Sequence, residues 1–212
     1  MDIRFSQREL KDLGIAWVAL GVAFTAFYYN PEIRALLGGV RADAALNVLA
    51  AGFAISMATA GVGFLLHELA HKVVAIHYGQ VAEFRADYNM LFLAVMAGLA
   101  GFLFAAPGAV YHRGFVTKRE QGLIALAGPV TNVALVGVFG VLWLAGGAAG
   151  EIVATVGWLG VIINALLAGF NMIPFGPLDG KKVMNWSQPV WVATAVPMIG
   201  GAIVLLFGGI PL

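Results

Sequence analysis

The chain reads as an all-α polytopic membrane protein, with five to six transmembrane helices and one re-entrant or strand-like, membrane-associated segment. Three observations lead there. Of 212 residues, 61% are hydrophobic and only 11% charged, against about 25% charged in soluble domains. Several apolar runs exceed the roughly 18 residues a spanning helix needs. The 28 glycines suit membrane helices, which pack through small residues. A formal net charge of +1 gives no reason to expect nucleic acid or an acidic substrate. With no cysteine, disulfides and thiolate metal sites are excluded, and any metal must use His, Asp or Glu.

Met1–Asp12 is polar and precedes a long apolar run, unlike a cleavable signal peptide. The expected spans are Leu13–Tyr29, Ala44–Ile76, Gln121–Leu144, Ile152–Ile173 and Val190–Ile210. A sixth stretch, Met90–Tyr111, is long enough but carries Gly98, Gly101, Pro107 and Gly108. The positive-inside rule weighs its path. If it folds back, Arg4, Arg8, Lys11, Lys72, Arg85, Arg113, Lys118, Arg119, Lys181 and Lys182 share one side, and only Arg34 and Arg41 lie opposite. If it crosses, that asymmetry vanishes. The non-crossing path is the expectation, with the N-terminus and the loops near the site cytoplasmic. Irregular backbone at membrane depth must then be shielded by protein.

Near the end of the second apolar run stands His67-Glu68-Leu69-Ala70-His71. Histidines four apart share one helix face and can bind a single Zn²⁺, while the adjacent glutamate can serve as general base on zinc-activated water. Ionisable groups inside a span are costly and functional by default. Lys72 is expected to snorkel to the interface. Catalytic zinc also needs a third protein ligand. His77 extends the pair to the histidine spacing of a metzincin, but Val74 stands where that turn needs glycine. Asp179 lies in Asn171-Met172-Ile173-Pro174-Phe175-Gly176-Pro177-Leu178-Asp179-Gly180, where two prolines and two glycines must break a helix. It could reach the histidine face, or be a loop aspartate solvated beside Lys181 and Lys182. The residues alone leave both open.

Three separated motifs resemble the site-2 protease family of intramembrane zinc metalloproteases: HELAH at 67–71, Ala127-Gly128-Pro129-Val130-Thr131-Asn132, and an NxxPxxxLDG element at 171–180. The resemblance covers about residues 45–185, within a single membrane-embedded domain expected over 1–212. It implies one Zn²⁺ held by His67, His71 and Asp179, with Glu68 as the catalytic base. It also implies that Asn171 holds the substrate backbone, that Asn132 lines the site, and that strand-like structure lies between the first two motifs. Attached PDZ or CBS domains, common among relatives, have no room here. The expected partners are a substrate's transmembrane helix and the bilayer. The rival readings are a zincin of another fold that cuts at the membrane surface, and a catalytically silent relative that binds membrane proteins.

Overall fold

A computed structural model describes residues 3–39, 42–103 and 108–208. Arg41, Pro107 and Ile210, which entered the expectations above, lie outside the described residues. The elements are α1 (Gln7–Tyr28), α2 (Asn30–Leu37), α3 (Ala42–Ser56), a π-helical turn (Met57–Gly61), α4 (Val62–His77), β1 (Val81–Ala86), α5 (Tyr88–Leu99), β2 (Gly108–Arg113), α6 (Lys118–Ala149), α7 (Glu151–Asn171), α8 (Asp179–Trp186) and α9 (Gln188–Phe207).

Five helical runs are long and apolar enough to cross a membrane: Gln7–Tyr28, Asp43–His77, Lys118–Ala149, Glu151–Asn171 and Gln188–Phe207. Each coincides with one expected span, and together they make this a multi-pass membrane protein. Among the described residues of the stretch Met90–Tyr111, 90–99 belong to a short helix and 108–111 to a strand. At 12 residues, α5 rises about 18 Å, well short of a hydrocarbon core of about 30 Å. The strands β1 and β2 form a two-stranded sheet.

The chain forms two compact units, one built around Gly63–Glu83 and the chain from Val110 onward, the other from Phe5–Val62 and Phe84–Ala109. In the first, α6 and α7 form the main helix pair. They are joined by a turn at Gly150, whose φ of 105° favours glycine. Gly157 and Gly160 lie against the Trp143 backbone and the Phe139 ring, with no room for a Cβ. Small residues here permit the backbone approach that drives helix pairing in lipid. A second cluster, Ala125, Met172, Val183 and Ala195, ties α8 and α9 to that pair. Trp191 Nε1 donates to Met172 O at 2.9 Å, and the rings of Trp143 and Trp158 stand 4.7 Å apart. Lys72 departs from expectation. It is 1% exposed, and its Nζ donates to Arg4 O at 2.7 Å, so a backbone carbonyl serves it where interfacial water was expected.

In the second unit, Ser6 caps α1 by accepting from Glu9 N at 3.0 Å. Trp17 Nε1 donates to Met57 O at 3.0 Å, reaching the π turn, where the regular ladder is interrupted. That contact engages Trp17 inside the helix packing. Glu9 and Asp12 are both buried. Glu9 Oε1 accepts from Phe84 N at 3.0 Å. Asp12 accepts from Ala86 N at 3.4 Å and from the Tyr88 hydroxyl at 2.6 Å. Residues 84 and 86 present their N–H groups on the same edge of β1, so two carboxylates occupy that edge.

Candidate metal centre

His67 and His71 project from the same face of α4, one turn apart, and both are nearly buried at 4% and 8% exposure. Their Nε2 atoms lie 3.0 Å from one another. The α7 helix ends at Asn171, and after a turn through Gly176, with φ 59°, α8 begins at Asp179. A Cβ at Gly180 would lie 2.8 Å from Ile173 O, so glycine lets the start of α8 pack onto the end of α7. This packing buries Asp179, at 5% exposure, and brings its Oδ2 to 3.1 Å from His71 Nε2 and 3.4 Å from His67 Nε2. Its other oxygen, Oδ1, accepts from Lys182 Nζ at 3.0 Å.

The remaining ring nitrogens decide what these atoms offer. His71 Nδ1 donates to Ile124 O at 2.7 Å. A carbonyl only accepts, so this nitrogen carries a proton, and in the neutral ring Nε2 keeps its lone pair. Pro129 lies just beyond on α6 and lacks the N–H that would bond Ala125 O, loosening the ladder in this turn. His67 Nδ1 meets Asn132 Oδ1 at 2.6 Å. Three electron-rich atoms thus converge, two Nε2 and one Oδ2, with separations of 3.0, 3.1 and 3.4 Å. Lone pairs facing lone pairs repel unless a cation lies among them. Ligands of a tetrahedral zinc with bonds of about 2.0–2.1 Å stand about 3.3–3.4 Å apart, so the donor set fits zinc in type and spacing.

Glu68, between the histidines, is 7% exposed, and its Oε2 is buried with no hydrogen-bond partner among the described residues. The donor atoms of His67, Glu68 and His71 lie within 4.8 Å of one another. Two carboxylates therefore compete for a metal at the histidines. Asp179 is the one whose oxygen touches both nitrogens. Gly128 completes the wall. A Cβ there would stand 2.5 Å from His67 Nε2 and 2.6 Å from His71 Nε2, so only glycine lets α6 approach this face.

The other candidates fall outside this cluster. Asn132 is fully buried, and its amide nitrogen is already engaged by Gly63 O at 3.2 Å and Asn164 Oδ1 at 2.9 Å. Asn171 is half-buried at the end of α7 and donates to Leu167 O at 2.9 Å. His77 is exposed at the end of α4, with its ring edge-on to Tyr78. His112, on β2, is half-buried, and its pKa is pushed down by burial and then by the charge of Lys182. Asn164 carried no signal in the sequence, because nothing in an apolar run shows which distant side chain an amide will meet.

No family model matches the chain, and no solved structure does. Among curated proteins, "Putative zinc metalloprotease MJ0611" of Methanocaldococcus jannaschii is 42% identical over 206 residues, covering 96% of this chain and 97% of that protein. "Putative zinc metalloprotease Rip3" of Mycobacterium tuberculosis is 35% identical over 140 residues, 65% of this chain but 31% of that much longer protein. "Putative zinc metalloprotease YwhC" of Bacillus subtilis is 32% identical over 143 residues, 58% of this chain and 64% of its own length. With one relative matched nearly end to end at that identity, the chain belongs to the zinc metalloprotease family that these names describe.

Proposed function

We propose that this zinc metalloprotease belongs to the site-2 type and hydrolyses peptide bonds within transmembrane helices of other membrane proteins. One observation carries the reading. His67 and His71, and the glutamate whose buried oxygen has no partner among the described residues, sit on Asp43–His77, a helix apolar enough to span the membrane, and Asp179 meets the two histidines from α8. A protease acting on soluble chains has no need to place its chemistry there.

His67, His71 and Asp179 would hold the one zinc ion. Zinc so held supplies Lewis acidity, polarising the scissile carbonyl and lowering the pKa of water towards about 7. Glu68 accepts the proton of the attacking water on its unpartnered oxygen and returns it to the leaving amine. Lys182 neutralises the outer oxygen of Asp179 and fixes that carboxylate's orientation. A helical substrate hides its carbonyls in its own hydrogen bonds, so it must unwind before attack. To hold an unwound backbone, Asn171 would turn its amide away from Leu167 O. The ten-to-two distribution of Lys and Arg orients the N-terminus and the loops near the site to the cytoplasm.

The test is cleavage of a labelled single-span substrate by the purified protein in detergent, beside Glu68→Gln. The expected result is product from the wild type only, with the cut inside the apolar stretch. Loss of the base should slow the reaction about 10²–10⁴-fold while zinc stays bound. Cuts confined to the flanking loops would instead mark a protease acting at the membrane surface. Absence of cleavage across several substrates, with zinc bound, would mark a silent relative.

A further inference from the structure

We propose that Asn164 is a positioning residue for the metal centre: acting through Asn132, it holds His67 in the tautomer that leaves Nε2 free for the metal. The inference rests on His67 being a zinc ligand and concerns how the protein prepares that ligand before zinc arrives.

The two histidines are oriented by different means. His71 Nδ1 donates straight to a backbone carbonyl, Ile124 O. His67 Nδ1 faces a side-chain amide, Asn132 Oδ1 at 2.6 Å. An amide can turn over and present its NH₂ instead. In that orientation it would favour the lone pair on Nδ1, place the proton on Nε2 and block the metal. Something must prevent the flip.

The hydrogen-bond chain behind Asn132 prevents it. Asn132 Nδ2 donates to Gly63 O on α4 at 3.2 Å and to Asn164 Oδ1 on α7 at 2.9 Å. Asn164 Nδ2 in turn donates to Gly160 O at 2.9 Å. Each end of the chain is a backbone carbonyl, which can only accept. Gly160 O therefore sets the orientation of Asn164, and Asn164 Oδ1 with Gly63 O sets that of Asn132. The oxygen of Asn132 is left facing His67, where it must accept from Nδ1–H. Turning Asn132 over would set oxygen against oxygen at both of its outer contacts. Asn132 and Asn164 are each 0% exposed, so no solvent can rescue the reversed arrangement. Gly63 leaves the space: a Cβ there would lie 2.6 Å from Asn164 Oδ1. The chain links α4, α6 and α7, and its direction reaches the metal as one proton on one nitrogen.

Residues that orient a metal-binding histidine typically change metal affinity by about 10–100-fold when removed. Asn164→Leu keeps the number and branching of the side-chain heavy atoms but removes one of two anchors on Asn132, so zinc affinity should fall about tenfold, at the low end of that range. Asn164→Asp retains the acceptor for Asn132, and in its protonated form the donor to Gly160 O, so it should bind zinc as the wild type does.

Three measurements on the full-length protein in detergent test this: zinc affinity by competition with a chromophoric chelator, thermal unfolding without metal, and ¹⁵N NMR of histidine-labelled, metal-free protein. The chain has four histidines, and loss of a signal in His67→Gln assigns His67. In the wild type and Asn164→Asp, His67 should be a single Nδ1–H tautomer. Asn164→Leu should gain Nε2–H population along with its weaker zinc binding, a change that general loosening of the packing would not produce. Asn164→Leu that folds and keeps both the tautomer and the affinity would overturn the proposal. So would a wild-type His67 found as Nε2–H, whether or not any variant folds. A wild type with the expected tautomer but no zinc binding would leave the relay standing and refute the zinc site instead.

Discussion

Two places in this molecule bury a pair of carboxylates to nearly the same depth. Glu9 and Asp12 on α1 are 0% and 2% exposed, and Glu68 and Asp179 are 7% and 5%. Their partners differ in kind. At α1 every contact described joins an acceptor to a donor: a backbone N–H to Glu9, and a backbone N–H and a hydroxyl to Asp12. Around the histidines, with both rings neutral, acceptors face acceptors, with Asp179 Oδ2 and two imidazole nitrogens within 3.4 Å of one another and Glu68 Oε2 without a partner among the described residues. A buried charge in an apolar chain is therefore not in itself a functional mark. A set of lone pairs that needs a cation is.

The sharpest test of that contrast is Gly128→Ala. The added methyl would sit 2.5–2.6 Å from both Nε2 atoms, in the space a metal requires. Displacing two ligands should exceed the roughly 10–100-fold loss seen when one supporting residue is removed. The purified variant should carry no stoichiometric zinc when the metal is measured by mass spectrometry after dialysis. Retained zinc would mean that the metal lies elsewhere. Next in size is Asp179→Asn, which preserves shape but removes the charge. Zinc affinity should drop by more than about 100-fold in a chelator competition, because a ligand is lost where a supporting residue would cost less. An unchanged affinity would hand the third position to Glu68, the other carboxylate within reach of the histidines.

The sequence made some of this contrast legible. Apolar run length located five helices, because the bilayer sets that length. The i, i+4 spacing put His67 and His71 on one face, and the Pro/Gly-rich stretch 171–180 announced the helix break that places Asp179 at the start of α8. Other features were hidden for a physical reason. The burial of Glu9 and Asp12 depends on strand N–H groups some 75 residues away. Lys72 reads as a snorkelling lysine until Arg4 O, 68 residues distant, is seen to accept from it. Asn164 matters only because α4 and α6 bring Gly63 and Asn132 to it. Periodicity reports which face of a helix is apolar. It carries no information about which partner a polar side chain will meet.

A smaller effect tests the structural half of the comparison. Asp12→Ala leaves Ala86 N and the Tyr88 hydroxyl without their acceptor. Stranding such a group when buried costs about 1–3 kcal/mol, and Ala86 is only partly buried while Tyr88 is exposed, so the low end applies. Thermal unfolding in detergent should shift down by a few degrees, about 2–4 °C per kcal/mol for a chain of this size, while bound zinc stays at one per chain. Loss of zinc at an unchanged unfolding temperature would mean that the α1 carboxylates act on the centre and that the two places are not different in kind.

The smallest expected effect lies at the rim of the centre. Lys182 Nζ holds Asp179 Oδ1 at 3.0 Å, but the lysine side chain is 43% exposed where the carboxylate is 8%. Solvent and salt reach one partner of this pair and not the other. Exposed ion pairs contribute about 0.2–1 kcal/mol, so Lys182→Met should weaken zinc binding by at most about fivefold. Lys182→Arg should lose less, since a guanidinium can still offer a donor to the same oxygen. The wild-type advantage over Lys182→Met should shrink as ionic strength rises, because screening reaches the exposed ammonium. The Asn164→Leu effect should not shrink, since its amides are sealed from solvent. A salt-insensitive Lys182→Met effect of tenfold or more would show instead that the lysine is closed over the carboxylate in solution, making it as integral to the centre as the amides on the opposite side.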